Sequence, residues 1–342
     1  MRYDDVWITG TGSVLGQLTP VAEAVADGRY DAVDAAEAGL LSVSESDHDP
    51  PAMAVRAGRA ALAHAGGTAA PGLHLHGSVY FQGLDLWSAS CAVAAELIGE
   101  QWSGLSLHLG GLSNSALAGL ELAAGQLAGQ KDLSAALVTA ADRFAAPQFD
   151  RWNVDSGVVF GDGAGAAVLG RGTGRLRLLS SASYTDAGLV GLQRGDEPLT
   201  GASTAILRPL VLRQRARQFF AAGRHTPASV LARSIAGVQR VAARALAEAD
   251  TSLDRLRWVC PPFVGEALFR TAYAEPLRLD PARTLHQLGR RVGHLGAVDQ
   301  LVALDHLLRH RLVAPGDRVA LIGVGIGFTF TCLILEAAPR PR

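Results

Sequence analysis

Three residues in this chain combine into a recognisable chemistry: Ser113, His294 and Asp299. Ser113 stands ahead of an alanine- and leucine-rich segment with helical spacing, and His294, after Gly293, stands ahead of a second such segment. A serine at a helix entrance has two readings. It is a preferred capping residue, or it is a nucleophile placed where backbone N–H groups and the helix macrodipole stabilise the negative charge that develops in acyl transfer. A serine hydroxyl is a weak nucleophile at its own pKa, so the second reading requires a base. His294 fills that role, against the alternatives of a capping or satisfied core histidine. Asp299 lies five residues on, in the first turns of the same helix. It either serves the helix dipole or orients His294 and stabilises the imidazolium.

The elements that must position these groups repeat along the chain. Ser113 is followed by a helical face of Ala116, Leu120, Ala123 and Leu127 and then the strand Ala136–Thr139; His294 is followed by Ala297, Leu301, Leu304 and Leu308 and then Val319–Ile322. The offset is 181 residues from Ser113 to His294 and through the helical face, and 183 at the strands. A two-fold repeat of this kind places a hydroxyl and an imidazole at equivalent entrances of two related halves, here 1–171 and 172–342. Further helices are expected at Val21–Ala26, Met53–Ala65 and Val230–Ala249, and further strands at Val6–Gly10, Gly163–Leu169 and Leu176–Ser181. Strands alternating with helices over the whole length predict a layered α/β protein.

Other groups carry weaker chemistry. Two glycine runs, Gly161–Gly165 and Gly323–Gly327, are each followed by strand-like sequence, whereas a dinucleotide fingerprint must open a helix. They are read as tight backbone geometry, the second able to present an N–H to an oxyanion. His74 and His76 share a face if their segment is a strand, but no third metal ligand accompanies them, so no metal is expected. Cys91 is a rival nucleophile without a partner. Arginines cluster at Arg208, Arg213, Arg215 and Arg217 and again at Arg290 and Arg291; they are either solvated surface or a patch for an acidic carrier protein or a phosphopantetheine phosphate.

Composition bounds the rest. The 342 residues are 49% hydrophobic and 18% charged, enough to fill a large core. With 31 basic and 32 acidic residues and a net charge of -1, general binding to nucleic acid or to an anionic membrane is not expected. Three isolated cysteines and an acidic start without an apolar run point to a cytoplasmic protein. Val319–Leu335 lacks charge, but its glycines and threonines read as two buried strands around a turn rather than a membrane span.

The opening Val6–Gly12, the run Phe160–Leu169 and the closing Gly323–Thr329 together make the chain similar to the ketoacyl-ACP synthase III branch of the thiolase superfamily. The resemblance implies a thiolase-like five-layered α/β fold of two duplicated βαβαβ-type halves and a homodimer. It also implies a thioester substrate on the phosphopantetheine arm of an acyl carrier protein or on CoA, with no permanently bound cofactor. Three positions depart from the family pattern. Ser113 replaces the nucleophilic cysteine, Pro262 in Trp258–Phe263 stands where a histidine belongs, and His294 replaces an asparagine. The pair that supports malonyl decarboxylation is therefore absent.

The replacements are similar to those of atypical relatives in antibiotic and polyketide pathways. By that resemblance Ser113 takes the acyl group, His294 moves the protons, Asp299 orients His294, and the backbone N–H groups of Ser113 and Ile326 form the oxyanion hole. The family usually has glycine at the position of Ile326. Arg290 and Arg291 are the expected carrier-docking residues. The expected activity is an acyltransferase passing an acyl group to a hydroxyl, amine or second carrier. The alternatives are a priming ketosynthase that condenses a starter with malonyl carrier, and an inactive partner of another synthase.

Overall fold

The computed structural model describes residues 1–67, 70–199 and 209–339. Eleven strands are named in chain order: β1 Trp7–Leu15, β2 Gln17–Pro20, β3 Ser42–Glu45, β4 Leu73–Gly77, β5 Leu105–Leu109, β6 Ala135–Asp142, β7 Gly163–Gly170, β8 Leu176–Thr185, β9 Trp258–Cys260, β10 Arg318–Gly325 and β11 Thr329–Ala337. Seven helices matter for the site: α1 Pro50–His64, α2 Ala89–Ile98, α3 Ser115–Gly129, α4 Leu212–Ala221, α5 Pro227–Glu248, α6 His286–Val292 and α7 Asp299–Arg309.

The expected duplication is visible in strand order. From β1 outward the first half runs β1-β7-β6-β4-β5, and from β8 outward the second runs β8-β11-β10-β9. Pairings match as well. In each half the first two neighbours are antiparallel, β1 with β7 with β6 and β8 with β11 with β10, and the next pair is parallel, β6 with β4 and β10 with β9. The halves meet where Trp7 and Ile8 of β1 pair with Arg177 and Leu176 of β8, which joins nine strands into one sheet.

Helices complete five layers. Helix α1 packs on β1 and β7, α5 packs on β8 and β11, and α3 with α7 lies between the two halves. Because α3 and α7 are covered on both sides, they are apolar over most of their surface: Ala116, Leu120, Ala123 and Leu127 of α3 and Leu301 and Leu304 of α7 are fully buried in one cluster. Gly165 in β7 explains part of the first glycine run, since a Cβ there would lie 2.5 Å from Leu301 Cβ and push α7 off the sheet.

The elements extend beyond their sequence patterns at several ends. Strand β1 continues to Leu15, β6 to Asp142 and β8 to Thr185. Strand β6 is buried on both faces to its end and so lacks the polar positions that mark an exposed face, whereas β1 and β8 run out to exposed ends at Leu15 and Thr185. The closing uncharged segment is the β10–β11 hairpin, and no helix among the described residues is long and apolar enough to cross a membrane.

Candidate active site

The fold brings Ser113, His294 and Asp299 together. Ser113 lies in a short 3-10 turn, Leu112–Asn114, that leads into α3, while His294 lies ahead of the turn Gly296–Val298 that leads into α7. The two entrances are alike, but His294 stands two residues before its turn and Ser113 inside its own. Leu112 has φ 52°, a left-handed conformation that is costly for leucine and sets the direction in which Ser113 leaves the turn.

Ser113 Oγ is 2.8 Å from His294 Nε2, and His294 Nδ1 is 2.7 Å from Asp299 Oδ2. The cap position of α3 is Asn114, whose side chain donates to Thr329 and Thr331 rather than capping the helix, and the Ser113 hydroxyl meets the imidazole. Asp299 is 1% exposed, and its oxygens also accept the backbone N–H groups of Leu295 at 2.7 Å and Phe263 at 2.8 Å. The Trp258–Phe263 segment, which carries Pro262, thus supports the carboxylate through the backbone of Phe263. Such saturation fixes Asp299 as an acceptor, which directs Nδ1–H toward it and leaves the Nε2 lone pair for Ser113.

His294 is anchored by the other half of the molecule. Its N–H donates to Val159 O and its carbonyl accepts from Gly161 N, both at 2.8 Å, and its ring lies 5.3 Å from that of Phe160. Burial opposes the charged imidazole, but Asp299, helped by Asp142 and Asp155, outweighs it and holds the His294 pKa above the ordinary histidine range.

Asp142 is a site residue that the sequence pattern did not single out. Its Oδ1 accepts Val79 N and Tyr80 N at 2.8 Å, and its Oδ2 accepts Ala297 N at 3.0 Å, so one buried carboxylate ties the first-half loop to the His294–Asp299 segment. Burial pushes its pKa up to about 7, against the three N–H groups and His294. The available signal was a lone acid ending the otherwise uncharged strand Ala135–Ala141. Gly296, at φ 64°, leaves room for it, since a Cβ there would collide with Asp142 Oδ2.

Ser113, His294 and Ile326 line one cavity of about 1910 Å³ with largely apolar walls, among them Phe81, Trp87, Phe149 and Phe220. The second glycine run brings the closing hairpin against the Ser113 turn: a Cβ on Gly325 would collide with Gly111 O, and one on Gly323 with Asn114 Oδ1.

The remaining sequence-selected groups lie elsewhere. His74 and His76 are buried on β4 and bonded to Ser106, Thr139 and Gln82. Among the described residues no cluster could hold a metal ion. Cys91 is exposed on α2 and is not part of the cavity wall. Arg290 and Arg291 end α6; Arg290 donates to Gly39 O at 2.7 Å, and Arg291 is exposed. Arg213 pairs with Asp34 and Arg215 with Glu197, Arg217 is exposed, and Arg208 lies outside the described residues.

Comparison with known proteins agrees with this architecture. Residues 110–187 match the family 3-oxoacyl-[acyl-carrier-protein (ACP)] synthase III, and residues 246–337 match its C-terminal region. A β-ketoacyl-[acyl-carrier-protein] synthase III from Streptomyces coelicolor is 31% identical over 208 residues, 58% of this chain and 57% of that one. Another from Clostridium beijerinckii is 24% identical over 183 residues, 52% of each chain. The matched stretch thus spans about half the length of these curated relatives. Among solved structures, ChlB3, described as an acyltransferase, superposes with a TM-score of 0.91 at 32% identity over 98% of both chains. Xanthomonas campestris OleA superposes at 0.79 with 18% identity over 98% of this chain and 99% of that one, a likeness of fold alone. Residues 110–187 and 246–337 thus resemble the two regions of 3-oxoacyl-[acyl-carrier-protein] synthase III, within a thiolase-like fold.

Proposed function

We propose that the protein is an acyltransferase that works through an acyl-Ser113 intermediate, drawing the acyl group from a carrier-protein or CoA thioester in polyketide or antibiotic assembly. The observation that carries this reading is the continuous hydrogen-bonded line from Ser113 Oγ through His294 to Asp299, opening on a large apolar cavity. The full-length likeness to ChlB3, described as an acyltransferase, supports it.

In the first half-reaction His294 Nε2 takes the Ser113 proton as Oγ adds to the thioester carbon. The backbone N–H groups of Ser113 and Ile326 receive the oxyanion. As the tetrahedral adduct collapses, the C–S bond breaks and the His294 proton passes to the departing sulfur, giving the ester and a free thiol. In the second, an acceptor hydroxyl, amine or carrier thiol gives its proton to His294 and adds to the ester carbon. Collapse breaks the C–Oγ bond and returns the proton to Ser113. Asp299 stabilises the imidazolium in both halves. No permanent cofactor takes part, and Arg290 and Arg291 are proposed to meet the acidic carrier.

The protein is proposed to act as a homodimer. Strand β5 is a sheet edge with exposed Leu105 and Leu107, and the segment after β4 exposes Leu84 and Leu86; covering such an edge with a second copy removes unpaired strand and apolar surface together.

Intact-mass measurement after incubation with acyl-carrier thioesters tests the reading. The expected result is one acyl adduct, mapped to Ser113 and abolished by Ser113→Ala. An adduct on Cys91 with Ser113 unmodified overturns it. Carbon dioxide release from malonyl carrier with a β-ketoacyl product would replace it with a priming ketosynthase. Failure to acylate or hydrolyse any thioester, with copurification of a second synthase, would replace it with an inactive partner.

A further inference from the structure

Arg143 follows Asp142 directly, at the end of β6, and lines the same cavity as Ser113 and His294. Its Nε is buried and has no hydrogen-bond partner among the described residues. Two other arginines are matched: Arg151 forms a two-armed pair with Asp162 at 3.0 and 2.9 Å, and Arg215 on the cavity wall forms one with Glu197 at 3.1 and 3.0 Å. The adjacent acid cannot serve Arg143, because Asp142 faces three backbone N–H groups. A second orphan lines the cavity, the buried acceptor Gln193 Oε1.

Arg143 is only half-buried, so the rest of its guanidinium borders the cavity, and a plain hydrocarbon chain filling the cavity would strip water from that part without replacing it. An acyl chain that carries an oxygen acceptor would replace it, and a carboxylate does so with two parallel bonds. We propose that Arg143 is a specificity-determining residue that selects acyl groups bearing a carboxylate or carbonyl oxygen over plain alkanoyl groups of equal length. This rests on the acyl-Ser113 reading. It places the recognised oxygen on the acyl group, because that group must occupy the cavity while bound to Ser113.

The test reads the acylation half-reaction alone, before any acceptor is added. Adipoyl-, 5-oxohexanoyl- and hexanoyl-CoA, together with shorter and longer matched sets, are compared by the rate at which the Ser113 adduct appears. The expected result is a preference of about tenfold to a hundredfold for an oxygenated chain at one length, the worth of a charge-assisted hydrogen bond. The adipoyl and oxohexanoyl arms separate a carboxylate from a carbonyl. Arg143→Leu should bring the ratio to about one, and Arg143→Lys should keep part of it. Arg143→Gln stands in for the leucine variant if that one does not fold.

Hexanoyl adducts on Ser113 with no preference at any length, or a preference that survives Arg143→Leu, overturn the inference and leave the proposed function standing. If no thioester acylates the protein, the proposed function fails, and calorimetric titration of the Ser113→Ala protein with the same CoA esters still decides the inference. Equal affinity for oxygenated and plain chains would then overturn it, and tighter binding that disappears on adding Arg143→Leu would uphold it.

Discussion

Two groups of buried histidines sit in this molecule and behave oppositely. In the first half His74 and His76 lie side by side on β4, fully enclosed, with Thr139 Oγ1 bonded to His74 Nε2 at 2.9 Å and to His76 Nδ1 at 2.8 Å. Their other nitrogens meet Ser106 and Gln82. All of these partners are neutral, so burial dominates and depresses the two pKa values to about 3 and about 4. In the second half His294 is almost as buried, yet a carboxylate on Nδ1 reverses the outcome and its pKa is raised. Burial is common to both; the charge of the partner and access to the cavity differ. One histidine pair is locked neutral as part of the sheet, and the other imidazole is able to take a proton from Ser113.

Removing the carboxylate breaks this contrast most severely. Asp299→Asn deprives His294 of its counter-charge and of its preferred tautomer, and Ser113 acylation is expected to slow by about three to four orders of magnitude, read by single-turnover mass kinetics. Retention of the native rate would remove Asp299 from the mechanism.

The pH dependence sharpens the contrast. His294 must be neutral to accept a proton, so acylation is lost as pH falls through its raised pKa. The acid limb of the rate profile should therefore lie above about 6.5, the unperturbed histidine value. In Asp299→Asn the residual activity should show this limb shifted to lower pH.

The smallest effect falls on the neutral pair. Thr139→Val leaves two buried imidazoles without their shared partner and should cost about 1–3 kcal/mol in denaturant unfolding, with little change in acylation rate. Acid has its own signature here. The folded pKa values of His74 and His76 lie below the unfolded one, so the unfolded chain binds more protons as pH falls. Stability should decline from about pH 6.5 down to about 4 for His76 and about 3 for His74, by up to about 1.4 kcal/mol per pH unit for each imidazole. His76→Gln should flatten that decline; an unchanged slope would show that these rings are not the groups responsible.

Much of the architecture was legible beforehand because periodicity survives in covered elements. The helical face Ala116–Leu127 and its counterpart after His294 pointed to two duplicated halves, and the strand-like sequence after each glycine run argued against a phosphate-binding turn. Asp142, Arg143 and the backbone support from Phe263 were not legible. Asp142 and Arg143 end a strand whose local pattern is ordinary, and a backbone N–H from the Trp258–Phe263 segment leaves no mark in side-chain sequence.

The sequence alone determined which chemical groups are available: a serine and an imidazole at paired helix entrances, an acid five residues beyond the imidazole, and the absence of a histidine at Pro262. Only the tertiary structure decided which of ten histidines has a raised pKa beside a serine hydroxyl. A histidine's pKa is set by its burial and by the charges around it, and for His294 those charges include Asp142 and Asp155, each more than a hundred residues away in the chain. The pairing of Ser113 with His294 likewise spans 181 residues and exists because the two halves close on a shared layer, α3 and α7.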